Sequence, residues 1–436
     1  MATDAGADGR KEVSDTIFSV SSGSPPAAIA VIRISGPDAD RALEALAGSL
    51  PEPRRATLVE LQYQGESLDR ALVLRFPGPG SATGEGVAEL HVHGGRAVVA
   101  AVLGALAQME ALRAAEPGEF TRRAFSNGRI DLAEAEGLAD LLAAETQAQR
   151  RAALALAGGA LSRRIEAWQQ RILGLAAELE AALDFADEAE VGDAPPPDWH
   201  ARLAETAAEL EVVLARPPAE RLRDGIRVAV AGPVNAGKSS LFNVLAGRDA
   251  AIVAAVPGTT RDLVEAPALI GGTAFLLTDT AGLRDSDDPI ERIGVERART
   301  AVEGADLILW LGAPEEVPDP ERSLVVHSKV DIVPPVQCAD VAVSAVTGQG
   351  IEALTDLLVV RARRLLPNES DLSVNARHRA LMSECLGHLR EAETEQDPLI
   401  AAEALRQARA ALDRVTGRAG VEDMLDALFC GFCIGK

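Results

Sequence analysis

The segment that most constrains the fold is a glycine-rich loop in the second half of the chain. Residues 232–239 read GPVNAGKS, which fits the pattern G-x-x-x-x-G-K-S. The apolar run Ile226–Ala231 precedes the loop and predicts a strand, and a helix is expected to start near Ser240. This order of strand, loop and helix predicts a P-loop in an α/β fold, because backbone N–H groups and a helix N-terminus favour a bound phosphate.

The loop and the first turn of the following helix are predicted to bind a nucleoside triphosphate. Lys238 is expected to reach the β- and γ-phosphates, and the hydroxyl of Ser239 is expected to bind Mg²⁺. The predicted phosphate-binding residues are Asn235, Ala236, Gly237, Lys238, Ser239 and Ser240.

Two later segments stand in the order that a GTPase requires. Thr259 and Thr260 lie in the segment PGTTRD, where a threonine hydroxyl can bind Mg²⁺ near the γ-phosphate. Asp279 and Gly282 belong to the segment DTAG after an apolar run. They are expected to supply a Walker-B carboxylate and a backbone N–H group for the γ-phosphate.

A third segment predicts a preference for guanine over adenine. Ser328, Lys329 and Asp331 stand where GTPases usually have Asn-Lys-x-Asp, and Asp331 can accept from guanine N1 and N2, which adenine cannot satisfy. Ser344 and Ala345 lie where a loop usually meets the guanine carbonyl. Because a serine is shorter than an asparagine, Ser328 is expected to lower the affinity without removing the preference.

The residues that would promote hydrolysis are less evident. Leu283 occupies the position where many GTPases have a water-orienting glutamine, and leucine cannot orient water. Glu291 is a candidate for this role, with a solvated glutamate at a helix start as the alternative. Since no arginine finger is evident, the carbonyl oxygen of Asn235 could instead hold a cation, although Asn235 could also only support the loop.

The pattern along the chain predicts several domains of different classes. Residues 1–128 combine strands such as Ile29–Ile34 with a helix expected over Ala97–Leu112, which is typical of an α+β domain. The following residues have leucines at helical spacing. We therefore predict a multidomain α+β and α/β protein, with a helical bundle interrupted by a Ras-like nucleotide-binding fold. The predicted boundaries are 129–222 and 368–436 for the two parts of the bundle and 223–367 for the inserted fold.

Composition narrows the class of protein further. The chain has 436 residues and a net charge of −23, whereas a nucleic-acid binder that acts alone usually has a basic surface. Residues 1–13 do not read as a signal peptide, and no uncharged apolar run approaches the roughly 18 residues of a membrane span. The four cysteines, Cys338, Cys385, Cys430 and Cys433, do not suggest a disulfide framework. A cytoplasmic protein without membrane contact is expected.

Several stretches outside the shared nucleotide-binding pattern carry a more specific resemblance. They are Arg33–Gly36 (RISG), Glu89–Gly95 (ELHVHGG), Pro117–Phe125 (PGEFTRRAF), the pair at 184–185 (DF), Asp279–Arg284 (DTAGLR) and Phe432–Lys436 (FCIGK). Together with the loop at 232–239, they resemble the bacterial tRNA-modification GTPases of the MnmE (TrmE) family over essentially the whole chain from Asp15 to Lys436.

The resemblance implies a folate-binding and dimerising N-terminal domain, a helical domain and an inserted GTPase domain. It also implies GTP, Mg²⁺, K⁺ and a tetrahydrofolate derivative, either 5,10-methylene or 5-formyl, as cofactors. The implied partners are tRNA, a second copy of the chain and an MnmG-type FAD protein. With that protein, the family adds an aminomethyl or carboxymethylaminomethyl group at carbon 5 of the wobble uridine.

Individual residues match positions of known role in the family. Glu291 matches the catalytic glutamate, Cys433 lies in the terminal motif thought to be near the tRNA chemistry, and Arg33 and Glu89 resemble one side of the folate pocket. The implied K⁺ ligands are Asn235, Ala254, Val256 and Thr259, and the implied Mg²⁺ ligands are Ser239 and Thr260. Three places depart from the family pattern: the segment 253–258, Gly86 and Ser328. Since the segment 253–258 contains implied K⁺ ligands, K⁺ use is the expectation that these departures affect most.

Other interpretations stay open at this point. Cys430 and Cys433 could form a redox or zinc pair, although one C-x-x-C supplies only two ligands. His91 and His93 could bind a metal from one side of a strand. The arginine pairs could hold tRNA phosphates or could be solvated helix faces. The alternatives for the whole chain are a ribosome-assembly GTPase that acts as a switch and a non-catalytic scaffold that presents folate.

Overall fold

The computed structural model describes residues 15–184, 196–247, 264–280, 299–334, 338–368, 372–418, 428, 429, 432 and 435. The chain divides into two compact units. The N-terminal unit comprises residues 1–139 and 416–436, and the central unit comprises residues 140–415. Within the described part of the chain, no helix is long and apolar enough to cross a membrane.

The N-terminal unit contains a six-stranded sheet in the order β3-β4-β5-β2-β1-β6. Its strands are β1 (Thr16–Val20), β2 (Ile29–Ser35), β3 (Thr57–Tyr63), β4 (Glu66–Phe76), β5 (Val87–His93) and β6 (Leu112–Ala114). All neighbouring strands are antiparallel except β1 and β6, which are parallel. Helices α1 (Ala39–Ala47), α2 (Arg96–Ala107) and α3 (Glu119–Ser126) accompany the sheet. The predicted α+β character of this region is confirmed.

One face of this sheet forms the main core of the unit. Residues at alternate positions of β2 and β5 point to the same face, because side chains alternate along a strand. Ile32 and Ile34 of β2 and Leu90 and Val92 of β5 are buried there with the apolar sides of α1 and α2. The residues between them, which include Arg33 and Glu89, therefore lie on the opposite face of the sheet.

Helix α2 ends earlier than the sequence predicted. It stops at Ala107, whereas helical spacing indicated a helix as far as Leu112. Ala111 has a positive φ of 64°, and Leu112–Ala114 pairs in parallel with Thr16–Phe18 of β1. The edge of β1 thus provides backbone partners that the periodicity of a single segment does not reveal.

Helices dominate the chain between the sheet and the nucleotide-binding fold, as predicted. They are α4 (Leu132–Ala143), α5 (Gln147–Ala157), α6 (Ala160–Asp184), α7 (Trp199–Leu214) and the short α8 (Glu220–Arg223). A capping box of Thr146 and Gln149 starts α5. Trp168 and Trp199 are buried among these helices, and the indole N–H group of Trp199 donates to the carbonyl oxygen of Leu175 at 2.9 Å.

The inserted fold is built on a second six-stranded sheet in the order β12-β11-β10-β7-β9-β8. Its strands are β7 (Ile226–Ala231), β8 (Val264–Ile270), β9 (Thr273–Asp279), β10 (Leu307–Trp310), β11 (Ser323–His327) and β12 (Val341–Ala342). Only β8 is antiparallel to its neighbour, so the prediction of a mostly parallel sheet is confirmed. Helices α9 (Lys238–Ala246) and α10 (Ile351–Leu365) pack on its apolar core, and α11 (Ala376–Thr394) and α12 (Pro398–Thr416) follow.

Candidate nucleotide-binding site and N-terminal polar face

The glycine-rich loop has the conformation that its sequence predicts. Strand β7 ends at Ala231, and α9 begins at Lys238 with Gly237 as its N-cap. Gly232, Asn235 and Gly237 have positive φ values of 141°, 63° and 92°. A Cβ atom at Gly232 would lie 3.0 Å from backbone atoms of Leu311, so the loop has room only for glycine there. Successive residues of this kind turn backbone N–H groups toward one concave surface, which suits a phosphate.

Lys238 lies over this loop and is largely buried. Its Nζ atom donates to the carbonyl oxygens of Gly232 and Pro233, both at 2.9 Å. Burial lowers the pKa of the Lys238 ammonium, and the nearby Asp279 carboxylate opposes that shift. The loop therefore holds one cation at the position where the phosphates of a nucleotide would bind.

Asp279 and Thr280 border the loop from the adjacent strand. Asp279 ends β9 and pairs with Val230 of β7. The hydroxyl of Thr280 donates to the carbonyl oxygen of Val230 at 2.7 Å. Because both strands run in parallel, their carboxyl ends meet at one edge, which places the Asp279 carboxylate beside the P-loop, where a Walker-B residue acts on Mg²⁺.

The base-recognition segment is hydrogen-bonded directly to the P-loop. The hydroxyl of Ser328 donates to the carbonyl oxygen of Ala236 at 2.6 Å, and Nζ of Lys329 donates to the carbonyl oxygen of Asn235 at 2.6 Å. Asp331 is exposed in the same loop. Ser328 therefore connects the two loops despite its short side chain, which the sequence did not predict.

The loop that was predicted to meet the guanine carbonyl lies next to this segment. The backbone N–H of Val330 donates to the carbonyl oxygen of Val343 at 3.2 Å. Ser344 is fully buried and accepts from the N–H of Thr347 at 3.1 Å, while Ala345 is partly exposed. The structure thus brings together the predicted residues of the P-loop, the base-recognition segment and the Ser344 loop.

Other predicted site residues lie outside the described residues. They are Ala254, Val256, Thr259, Thr260, Gly282, Glu291 and Cys433. Within the described residues there is no group of three or more His, Cys, Asp or Glu side chains that could hold a metal ion. The predicted metal ligands and the catalytic glutamate stay predictions.

The polar face of the N-terminal sheet contains the predicted folate residues. Arg33 donates from Nε and Nη2 to Oε1 of Glu89 at 3.1 and 2.9 Å, and its guanidinium carbon lies 5.7 Å from the ring centroid of Phe120. His91 Nε2 lies 3.5 Å from Oε2 of Glu89, and His93 is paired with Asp69 at 2.8 Å. Arg33 and Glu89 therefore form a salt bridge, and the pair is still partly open to solvent.

A buried ion cluster near this face was not recognised in the sequence. The side chain of Arg123 is 3% exposed and contacts three carboxylates: those of Asp15 and Glu119, both at 2.9 Å, and that of Glu85 at 3.3 Å. Arg113 donates to Glu119 as well, at 2.6 Å. The sequence did not indicate this cluster, because two of the acidic partners of Arg123, Asp15 and Glu85, are far away along the chain.

The last residues of the chain pack on the same unit. Phe429 and Phe432 are buried beside Ala135 and Phe125, and the guanidinium carbon of Arg122 lies 5.6 Å from the ring centroid of Phe429. The hydroxyl of Ser21 donates to the carbonyl oxygen of Gly435 at 2.7 Å. The described residues on both sides of Cys433 therefore belong to the unit that contains Arg33 and Glu89.

Comparison with known proteins identifies the family. The family model described as the MnmE helical domain matches residues 132–433, and the model described as the GTP-binding protein TrmE N-terminus matches residues 16–129. The chain is 56% identical over 424 residues to the tRNA modification GTPase MnmE of Erythrobacter litoralis, covering 97% of this chain and 100% of that protein. It is 54% identical over 439 residues to the same protein of Novosphingobium aromaticivorans, covering 97% and 100%.

These matches extend over the N-terminal unit, the helices and the inserted fold, so they do not rest on the nucleotide-binding motifs that many families share. The chain therefore belongs to the MnmE family of tRNA modification GTPases.

Proposed function

We propose that this chain hydrolyses GTP and uses the hydrolysis to drive modification of carbon 5 of the wobble uridine in certain tRNAs. The observation that carries the proposal is the pair of hydrogen bonds from Ser328 and Lys329 to the P-loop, in a chain that matches the MnmE family along its whole length. These bonds hold the segment proposed to recognise guanine against the loop proposed to bind the phosphates. The catalytic activity is thus GTP to GDP and phosphate, in the cytoplasm.

The residues around the P-loop fit a magnesium nucleotide. The concave backbone at 235–237 and the Lys238 ammonium would bind the phosphates, and Ser239, Thr260 and Asp279 would hold or orient Mg²⁺. Bound Mg²⁺ would neutralise the charge that develops on the phosphates. Asp331 is exposed beside the P-loop, where its carboxylate would accept from the guanine N1 and N2 groups.

Potassium and Glu291 complete the proposed hydrolytic machinery. Asn235, Ala254, Val256 and Thr259 would hold K⁺, which would take the place of an arginine finger, and Glu291 would orient the attacking water. The backbone of Asn235 is already strained to a φ of 63°, and its carbonyl oxygen accepts from Lys329. Equal hydrolysis rates in KCl and NaCl at matched ionic strength would contradict the potassium part of the proposal.

The N-terminal unit is proposed to bind a tetrahydrofolate derivative. Arg33 offers a guanidinium for the carboxylates of the glutamate tail, and Glu89 offers a carboxylate for the pterin N–H groups. Bound folate would supply the one-carbon unit, and Cys433 would act near the tRNA. An MnmG-type FAD protein and a second copy of the chain are the proposed partners.

The direct test is mass spectrometry of tRNA nucleosides from cells that carry or lack this gene. Loss of aminomethyl- or carboxymethylaminomethyl-uridine derivatives, restored by the wild-type gene but not by a Lys238→Ala variant, is the expected result. A Glu291→Ala variant separates an enzyme from a folate-presenting scaffold, because only a scaffold would keep normal modification. Unchanged wobble uridines in cells without a second copy would contradict the proposal and favour a ribosome-assembly GTPase.

A further inference from the structure

The chain crosses twice between the helices and the inserted fold of the central unit, and the two crossings are hydrogen-bonded to each other. Residues 215–225 lead from α7 into β7, and the second crossing, of which residues 366–368 and 372–375 are described, lies between α10 and α11. The N–H of Ala219 donates to the carbonyl oxygen of Val374 at 3.1 Å, and the N–H of Ala376 donates to Oε1 of Glu220 at 2.5 Å. The two crossings therefore form one joint rather than two independent linkers.

The helical side of this joint is anchored by side chains that bind backbone carbonyls. Arg379 of α11 donates to the carbonyl oxygens of Leu214 and Arg216 at 2.5 and 3.0 Å, which satisfies groups left open at the end of α7. Gln149, which is buried at the start of α5, donates from Nε2 to the carbonyl oxygen of Arg223 at 3.0 Å. Two helices, α5 and α11, thus hold the segment that leaves α7.

The other side of the joint is anchored to the sheet of the inserted fold by one carboxylate. Arg221 donates from Nε to Oδ1 of Asp306 at 2.8 Å, and the N–H of Arg227 donates to Oδ2 at 3.1 Å. The side chain of Asp306 is 13% exposed. Asp306 immediately precedes β10, so the pair fixes the joint to the start of a central strand.

Strand β10 connects this carboxylate to the nucleotide site. It is paired in parallel with β7 from Leu307 to Trp310. At its far end, the N–H of Leu311 donates to the carbonyl oxygen of Ala231 at 2.8 Å, and Gly232 of the P-loop packs against the Leu311 backbone. One short, fully hydrogen-bonded strand therefore joins the P-loop to Asp306, and a hydrogen-bonded strand does not bend independently of its neighbours.

We propose that Arg221 and Asp306 are positioning residues that transmit nucleotide-dependent movement of the inserted fold to α7 and α11. The pair lies outside the nucleotide site. It holds the joint against β10, so that a shift of β10 at the P-loop displaces the adjoining ends of α7 and α11. This inference rests on the proposed function only in taking tRNA modification as the process that the movement drives.

The test uses the full-length chain with Arg221→Ala, Asp306→Asn and the double variant. Asp306→Asn keeps one oxygen for the N–H of Arg227, but it removes the charge and replaces the oxygen that accepts from Arg221 with an NH2 group. Arg299→Ala is the matched control, since Arg299 pairs with Glu303 at 2.7 Å on an exposed surface of the same fold. The measured quantities are the GTP hydrolysis rate, the modified uridine formed per GTP hydrolysed and the midpoint of thermal unfolding.

In all three variants, the rate of GTP hydrolysis is expected to stay within about twofold of the wild type. The modified uridine formed per GTP hydrolysed is expected to fall about fivefold or more, which is the effect of losing a typical coupling free energy. The double variant should be no worse than either single variant, because both remove the same interaction. Arg221→Lys should recover part of the coupling. Full coupling in all three variants, or losses of hydrolysis and coupling that only follow the unfolding midpoint, would overturn the proposal.

A second measurement tests the role of the Arg221–Asp306 pair even if the wild-type chain modifies no uridine. Hydrogen exchange of the Ala219 and Ala376 amides is compared with GDP and with a non-hydrolysable GTP analogue. The expected outcome is a nucleotide-dependent difference in the wild type that disappears in Arg221→Ala and persists in Arg299→Ala. Identical exchange with both nucleotides in the wild type would overturn the joint, whatever the tRNA result.

Discussion

The inserted fold and the N-terminal unit build their sites in different ways. In the inserted fold, the P-loop is one continuous segment whose backbone makes the phosphate cradle, and its closest partners, Ser328 and Lys329, bind backbone carbonyls. In the N-terminal unit, Arg33 and Glu89 are on different strands, and Arg123 pairs with Glu119 of its own helix and with Asp15 and Glu85 from two distant segments. The first site depends on local backbone shape, whereas the second depends on long-range side-chain pairing.

The difference predicts how each region fails when it is changed. Substitutions in the inserted fold should remove nucleotide binding and leave the fold intact, because the loop conformation is set by its glycines and its flanking strand and helix. Substitutions in the N-terminal unit should lower its stability first, because its charged groups are buried and depend on one another.

The largest effect is expected for Arg123→Ala. Removing this guanidinium takes away the cation that pairs with the carboxylates of Glu85 and Glu119, which are 15% and 10% exposed, and should cost about 3 to 5 kcal/mol. Urea unfolding followed by circular dichroism measures the loss, and GTP binding measured in parallel should stay unchanged. Arg55→Ala is the control, because Arg55 and Glu52 form an exposed pair, 72% and 72% accessible. Equal stability of the Arg123 and Arg55 variants would contradict the comparison.

The dependence of stability on pH gives a second test of the Arg123→Ala prediction. Burial alone would raise the pKa values of Asp15 and Glu119, but hydrogen bonds to Arg113 and Arg123 hold both below their ordinary values of 3.8 and 4.5. A lowered folded-state pKa stabilises the protein above the unfolded-state value, and this stability is lost as pH falls through the folded-state pKa. Wild-type stability should therefore decline below about pH 4.5, and Arg123→Ala should flatten that decline.

Lys238→Ala should have the next largest effect, confined to the nucleotide. Without the ammonium over the P-loop, GTP hydrolysis is expected to fall about a hundredfold or more, because a preorganised charge on the phosphates is lost. The unfolding midpoint without nucleotide should change little, since the partners of Lys238 are loop carbonyls that water can reach. Steady-state phosphate release and thermal unfolding are the two measurements. A large drop in stability together with retained hydrolysis would contradict the comparison, because Lys238 would then stabilise the fold rather than act on the nucleotide.

Gly435→Ala tests whether the C-terminal segment depends on long-range packing. Gly435 has a φ of 97°, and a Cβ atom there would overlap the carbonyl oxygen of Val20. We expect a local cost of about 1 to 3 kcal/mol, with tRNA modification reduced and GTP hydrolysis unchanged. Gly104→Ala in α2 is the control, because its Cβ would meet no atom within 4 Å. The idea fails if modification and exchange of the Ser21 amide are both unaffected.

Ser328→Ala should give the smallest effect. The variant loses one hydrogen bond to the Ala236 carbonyl oxygen, worth about 1 kcal/mol, so GDP affinity should fall about fivefold. Ser328→Asn should restore the affinity relative to alanine. Calorimetry with GDP and ADP provides the measurement, and equal affinity of the wild type for both nucleotides would contradict guanine recognition through Asp331.

Prediction from sequence succeeded where the signal is local. The loop at 232–239 and the strand before it depend on neighbouring residues, and the structure has the strand and the helix at the two ends of this loop. The predicted end of α2 was wrong because Leu112 pairs with Thr16 of β1, which lies near the start of the chain. The Arg123 cluster was missed for the same reason, since Asp15 and Glu85 lie 108 and 38 positions away.

The sequence by itself determined the mostly parallel nucleotide-binding fold, the helical regions and the family, because glycine spacing, hydrophobic periodicity and short motifs are local properties of the chain. Only the tertiary structure decided that Ser328 joins the P-loop, that Arg33 and Glu89 form a pair, and that Asp306 fixes the joint of the inserted fold. These contacts are formed when distant backbone segments meet, and side-chain hydrogen bonds over such separations leave no periodic signal in the sequence.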